Sequence, residues 1–274
     1  MTTAAMTARA RAVPAAAKRP GLPGTLRSEL TKIISVRSTY WTLLAFVAAS
    51  LAWAVLDCAG IASHGTGPDF NAAQASLTGQ VALGELIIVV LGALVITSEY
   101  STGMIRTSLA VMPRRGVLYA AKAIVFAAVT LTISLVTSFT NFFVGQAILA
   151  GKHYDTTLGA PGVLRSIFLS AAIVMVFGLL AYGAGAIIRH SAGAITAILG
   201  VVFLIPLLAQ ALPNAWFADL QRWLPGGGAL EPIARSTPPL SHHLFPAWGE
   251  FAVFSGYAAV LVAIGAWLFI RRDA

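Results

Sequence analysis

Charged side chains are scarce in this chain. Only 10% of its 274 residues are Asp, Glu, Lys or Arg, whereas soluble globular domains carry about 25%. Because 58% of the residues are hydrophobic, an ordinary soluble fold is excluded and the sequence predicts an all-α polytopic membrane protein. The net charge of +8 does not indicate nucleic-acid binding, since the basic residues are strung out beside apolar runs rather than clustered on a polar face.

The chain also lacks the residues from which many active sites are built. The single cysteine, Cys58, excludes an intrachain disulfide and a cysteine-based metal cluster. No G-x-S-x-G, H-E-x-x-H or phosphate-loop motif occurs. We therefore predict no catalytic residues, no enzyme activity and no cofactor in this chain. His242-His243 has no carboxylate nearby, so we predict no metal site there either.

The amino-terminal part of the chain has two sections. Residues 1–21 carry Ala, Thr, Pro and basic residues but no apolar core of signal-peptide length, and we interpret them as a disordered cytoplasmic tail. Residues 22–274 form one transmembrane domain in this interpretation. From Thr25 to Arg37, apolar residues recur at helical spacing among charged ones. This pattern favours a basic amphipathic helix in the plane of the membrane interface over a simple start of the first span.

Six apolar runs reach the length of about 20 residues that crosses a bilayer. They are residues 40–62, 77–97, 117–150, 166–188, 191–212 and 251–270. With both termini in the cytoplasm, fourteen of the eighteen Lys and Arg residues lie on the cytoplasmic side. The positive-inside rule therefore predicts this orientation in the cytoplasmic membrane.

Three features inside the runs stand out. Glu85 is a carboxylate eight residues into the second run, and it could lie on a substrate path, hydrogen-bond between helices or reach the outer interface. Pro206 predicts a kink in the fifth run. Gly178, Gly183 and Gly185 in the fourth run predict close packing of helices.

A polar, basic segment, Ser98 to Gly116, separates the second and third runs. Gly103 and Pro113 bracket residues 104–112, in which apolar side chains recur at helical spacing with Arg106 between them. This pattern predicts a short amphipathic helix at the membrane face, ended by the proline. The alternative is a surface turn whose arginines only set the topology.

Several of these residues resemble the motifs of the ABC-2 permease family, the membrane subunits of ABC exporters. The resemblance rests on Glu29-Leu30-x-Lys32 before the first run, and on Glu99-Tyr100-x-x-Gly103-x-Ile105-Arg106, Pro113-x-Arg115 and Lys122 after the second. It extends over nearly the whole chain from Thr25 onward, including the six-span plan and the long last outer loop.

That resemblance implies a cytoplasmic coupling helix between spans two and three that docks on a separate ABC ATPase subunit, where ATP and Mg would bind. It implies two permease chains per transporter, identical or different, in the lipid bilayer. The implied ATPase contacts are Glu99, Gly103, Arg106, Pro113 and Arg115. The implied translocation path passes Glu85 and Pro206.

The expected function is thus that of a permease subunit of an ATP-driven exporter. Two alternatives remain at this point: a membrane anchor or regulatory subunit that moves nothing, and a proton-coupled secondary carrier that uses Glu85. Drugs, lipids, polysaccharide precursors and peptides are all compatible with a path of mostly apolar helices.

Overall fold

The computed structural model describes residues 21–67, 70–112, 114–205, 207–208 and 247–272. Within these ranges every regular element is a helix and no strand occurs, which confirms the all-α prediction for the described part of the chain. Five helices are long and apolar enough to cross a membrane. They are Arg37–His64, Ala72–Ser101, Arg115–Ala150, Val163–Ile188 and Phe251–Arg271.

The fifth predicted span, residues 191–212, is described only in part. Helix α8, Ser191–Leu199, continues into a π-helical turn at Gly200–Leu204, and together they form an apolar helix shorter than the five candidate spans. Pro206 and residues 209–246, which include His242-His243, lie outside the described residues, as do residues 1–20 and Pro113. The structure thus supports five spans, and a span over residues 191–212 stays a prediction.

The first two helices are separated by a single extended residue. Helix α1, Leu22–Ser35, has a proline in its first turn, where a missing N–H costs nothing. Val36 is extended at φ −77° and ψ 115° and ends α1, and helix α2, Arg37–His64, follows directly. The buried residues of α1 are Thr25, Glu29 and Ile33, so one face of this helix packs against the bundle.

The second span starts earlier than the hydropathy pattern predicts. Helix α3, Ala72–Gly79, is capped by Asn71, whose side chain accepts a hydrogen bond from the Gln74 N–H at 3.0 Å. A π-helical segment, Gln80–Gly84, joins it to helix α4, Glu85–Ser101. The predicted start of this span at residue 77 is therefore five residues late, because the cap begins the helix before the strongly apolar run.

The remaining helices follow in order along the chain. They are α5, Met104–Val111; α6, Arg115–Ala150; α7, Val163–Ile188; α8; and α9, Ala247–Arg271. Helices α6 and α7 are joined by a loop over residues 151–162. Only Arg189 and His190 separate α7 from α8, and Arg189 has a positive φ of 59° that reverses the chain.

Helix α7 lies at the centre of the bundle, and its glycines explain why. A Cβ at Gly92 would collide with the backbone of Gly178, and one at Gly183 would collide with the backbone of α9 at Leu261. A Cβ at Gly185 would collide with the side chain of Ile96. Small residues let helix backbones approach closely in a membrane, so the predicted packing role of these glycines is confirmed.

Candidate functional site

Four charged side chains from three helices meet at the end of the bundle where α5 lies. Lys122 of α6 donates hydrogen bonds to Glu29 Oε2 of α1 and to Glu99 Oε1 of α4, both at 2.7 Å. Lys32 of α1 donates to Glu29 Oε1 at 2.7 Å and lies 3.5 Å from Glu99 Oε1. We call these four residues the ionic network. Lys122 is its central cation, because it bridges carboxylates from two other helices.

The ionic network is almost wholly enclosed by protein. Glu29 is 1% exposed, Lys122 4% and Glu99 5%, while Lys32 is partly exposed. Two positive and two negative charges balance one another, which a buried ionic cluster requires if its desolvation cost is to be offset. The ionic network therefore carries no net charge and connects α1, α4 and α6.

The charges within the network stabilise one another's ionised forms. Burial by itself would raise the pKa of Glu29, but the neighbouring Lys122 and Lys32 outweigh it, and the pKa lies below its usual value. Burial would likewise lower the pKa of Lys32, yet Glu29 and Glu99 hold that pKa above its usual value. Both α1 groups of the network are consequently ionised at neutral pH.

The network also reaches helix α5. Lys32 Nζ lies 3.3 Å from Ser108 Oγ and donates a hydrogen bond to it. Ile105 of α5 is buried in a cluster that includes Ile96 of α4, Tyr119 of α6 and Phe269 of α9. Polar and apolar contacts thus tie this short helix to the ends of several long helices.

The start of α5 depends on a residue that accepts a left-handed backbone. Gly103 has φ 70° and ψ 3° and precedes the first residue of the helix. An L-residue would be strained there, so the glycine allows the chain to turn sharply from α4 into α5. The turn leaves one face of α5 exposed. That face, which we call the α5 surface, consists of Met104, Arg106, Thr107 and Ala110.

The structure places the predicted contact residues in two different settings. Arg106 is exposed on the α5 surface and Gly103 forms its entry turn. Glu99 lies inside the ionic network, not on the surface. Arg115 starts α6 and donates a hydrogen bond to the Arg272 carbonyl at 2.7 Å. The prediction that these residues contact an ATPase stays a prediction, and Pro113 is outside the described residues.

All four network residues belong to the motifs that carry the family resemblance, but the sequence alone does not assign them a common role. A signal was present in the sequence: a lysine inside an apolar run needs a buried counter-charge. The spacing of Glu29 and Lys32 by three residues also places them on one helix face.

Glu85 lies apart from the ionic network. It is 3% exposed, and its Oε2 has no hydrogen-bond partner among the described residues. Because the helix begins at Ala72, Glu85 lies about three to four turns inside it. This enclosure argues against the reading in which Glu85 reaches the outer interface. Ile88, Val125 and Phe126 belong to one buried apolar cluster. Along α6, Val125 and Phe126 lie between Lys122 and the level of Glu85 in the bundle.

Searches with protein-family models and against curated proteins find no match to this chain. The geometry of the ionic network and of the α5 surface therefore supplies the argument for function.

Proposed function

We propose that this chain is the permease subunit of an ATP-driven exporter and that a separate ATPase subunit docks on the α5 surface. The observation that carries the proposal is that α5 is exposed on one face and firmly held on the other. An element of this kind is suited to pass a displacement from a soluble partner into the membrane helices. In this proposal α5 is the coupling helix, and its end of the bundle faces the cytoplasm.

The path of the displacement follows the contacts. A push on the α5 surface would reach α6, α7 and α9 through Ile105 and its aromatic neighbours Tyr119, Tyr182 and Phe269. It would reach α1 and α4 through Ser108 and the ionic network. Closely packed helices shift as rigid units rather than deforming continuously. These contacts would therefore convert a local displacement of α5 into motion of the helices.

Glu99 has a different role in this proposal from the one that the family resemblance implies. Its side chain is enclosed and bonded to Lys122 at 2.7 Å, so it would act as a positioning residue that holds the end of α4 beneath α5. Arg106 and Thr107 would make the direct contacts. Helix α1, with Leu30 and Ile34 exposed on the side away from the bundle, would lie in the interface plane of the bilayer.

The decisive experiment reverses one charge on the α5 surface. Arg106→Glu should weaken binding of the ATPase subunit by about tenfold or more, because the side chain lies at the centre of the proposed contact. Arg37→Glu is the matched control, since Arg37 is exposed and begins α2. Both variants should insert into the membrane and unfold at the wild-type temperature.

The partner is identified by crosslinking from the same surface. With Cys58 replaced by serine, a Thr107→Cys variant should crosslink in membranes to a protein that carries a phosphate-binding loop. Reconstitution of both chains should then give substrate efflux that requires ATP. Transport by the purified chain driven by a proton gradient without an ATPase would refute the proposal, and so would equal partner binding by the Arg106 and Arg37 variants.

A further inference from the structure

A line of buried polar side chains runs through the bundle between the ionic network and the 151–162 loop. On α6 it comprises Thr130, Ser134, Ser138 and Asn141, all of which are completely buried. Their spacing of three and four residues places them on one face of the helix. We call this line, with the partners described next, the polar seam.

Two glutamines connect the polar seam to the second span and to the loop. Gln80 Nε2 donates to the Ser134 carbonyl at 3.2 Å, and Gln80 Oε1 accepts from Ser138 Oγ at 3.0 Å. Farther along, Gln146 Nε2 donates to Ser76 Oγ at 2.9 Å, and its Oε1 accepts from the Thr156 N–H at 2.7 Å. Thr156 is partly exposed in the 151–162 loop, so the polar seam reaches the surface of the bundle.

On α4, Glu85 lies level with the other end of the polar seam. Helices α4 and α6 run in opposite directions, with Gln80 opposite Ser134 and Ile88 in the same buried cluster as Phe126. This register places Glu85 at the depth of Thr130. The hydrogen bonds of the π-helical segment join residues five apart. This spacing brings the Gln80 amide and the Glu85 carboxyl toward one face of the helix.

Several atoms along the polar seam have no partner among the described residues. They are Glu85 Oε2, Thr130 Oγ1, Ser134 Oγ and both amide atoms of Asn141. Each such group is costly to bury in a membrane interior if nothing satisfies it. Buried water molecules are the usual partners of interior polar groups that no protein group satisfies. Within the described residues no basic side chain forms an ion pair with Glu85, so a proton is the simplest way to neutralise it.

The polar seam stops before the ionic network. Ile88, Val125 and Phe126 are 0%, 6% and 1% exposed, and they form an apolar plug between Glu85 and Lys122. A water file would end at this plug because apolar side chains offer no hydrogen bonds to continue it.

We propose that the polar seam is a water-binding site whose file of water molecules exchanges protons between the Glu85 carboxyl and the solvent at the 151–162 loop. This inference does not rest on the proposed function, since it concerns the opposite end of the bundle from α5 and involves no partner chain. The ligand class is water together with the proton that it carries.

Infrared spectroscopy of the full chain in lipid nanodiscs tests the proposal after exchange of H2O for D2O. The wild type should show a protonated-carboxyl C=O band that Glu85→Gln removes, and this band should shift on exposure to D2O. Asn141→Leu places an apolar group of similar size in the polar seam, so it should slow the shift by about tenfold or more, because exchange would then require local opening of the bundle.

Two further variants keep the test decisive. Val136→Leu changes a side chain on the same helix that is 62% exposed on the outside of the bundle, and exchange should keep the wild-type rate. Ser134→Val is a second block within the polar seam, and it should slow exchange as Asn141→Leu does. The proposal is overturned if Glu85→Gln removes no band or if the wild-type band fails to shift in D2O. It is also overturned if Asn141→Leu and Ser134→Val, in folded protein, exchange at the wild-type rate.

Discussion

Replacing Lys122 by methionine removes the cation at the centre of the ionic network while keeping a side chain of similar length. Lys122 bonds to Glu29 and Glu99 at 2.7 Å each and is 4% exposed. After the change, two buried carboxylates would share only Lys32, which lies 2.7 Å from Glu29 and 3.5 Å from Glu99. One negative charge would therefore remain buried without compensation.

The expected cost follows from that uncompensated charge. Removing one partner of a buried ion pair destabilises a protein by about 3–5 kcal/mol, since the remaining charge keeps its desolvation penalty. For a chain of this length such a loss corresponds to a fall of roughly 10 °C in the unfolding midpoint. Lys152→Met is the matched control, because Lys152 is exposed in the loop after α6, and its effect should stay within about 0.5 kcal/mol.

A second substitution separates the charge effect from a packing defect. Adding Glu99→Gln to Lys122→Met removes the orphaned charge and leaves the Glu29–Lys32 pair intact, so it should recover about 2 kcal/mol of the loss. Thermal unfolding in detergent, followed by tryptophan fluorescence and by aggregation, measures all four proteins. If Lys122→Met matches the Lys152 control, or if the double variant is less stable than the single one, the ionic network does not stabilise the bundle as we argue.

Two other predictions concern pH and packing. Because the pKa of Glu29 is lowered in the folded chain, its stabilising effect is present above the usual glutamate value and is lost as the pH falls through the lowered pKa. The raised pKa of Lys32 preserves its own contribution through neutral pH until the pH rises through that pKa. The unfolding temperature should therefore fall when the pH is lowered below about 4. Glu29→Gln should make this fall with pH shallower, and an unchanged pH dependence would contradict the argument. Where α4 and α7 approach closely, Gly92→Leu should lower the free energy of unfolding by about 1–3 kcal/mol or more through overpacking. Gly60→Leu is the control and should be neutral, because nothing lies within 4 Å of a Cβ there. Equal thermal unfolding midpoints for the two variants would refute the packing account.

Much of the fold could be predicted from the sequence because hydropathy and helical periodicity are local properties. Four of the predicted runs match candidate spans closely, with helix ends shifted outward by a few residues. The short helix between Gly103 and Pro113 was also predicted from spacing, and a helix is present at Met104–Val111. The early start at Ala72 was missed because an Asn cap adds no apolar signal.

The inward and outward faces could not be predicted from the same patterns. Ile33 is buried, whereas its neighbour Ile34 is 67% exposed. In a soluble protein, polar residues mark the face that meets solvent, but lipid is as apolar as a protein core. Hydropathy therefore finds the helices without telling which side of each helix meets another helix.

The amino-acid sequence by itself determined that this chain is a helical membrane protein, where most of its long helices lie, and that a basic, structured segment separates the second span from the third. Only the tertiary structure decided that Lys122 meets Glu29, a residue 93 positions earlier, and that the same lysine bonds to an enclosed Glu99. The reason is physical: the free energy of a buried charge depends on which helices pack beside it, and no local stretch of sequence contains that information.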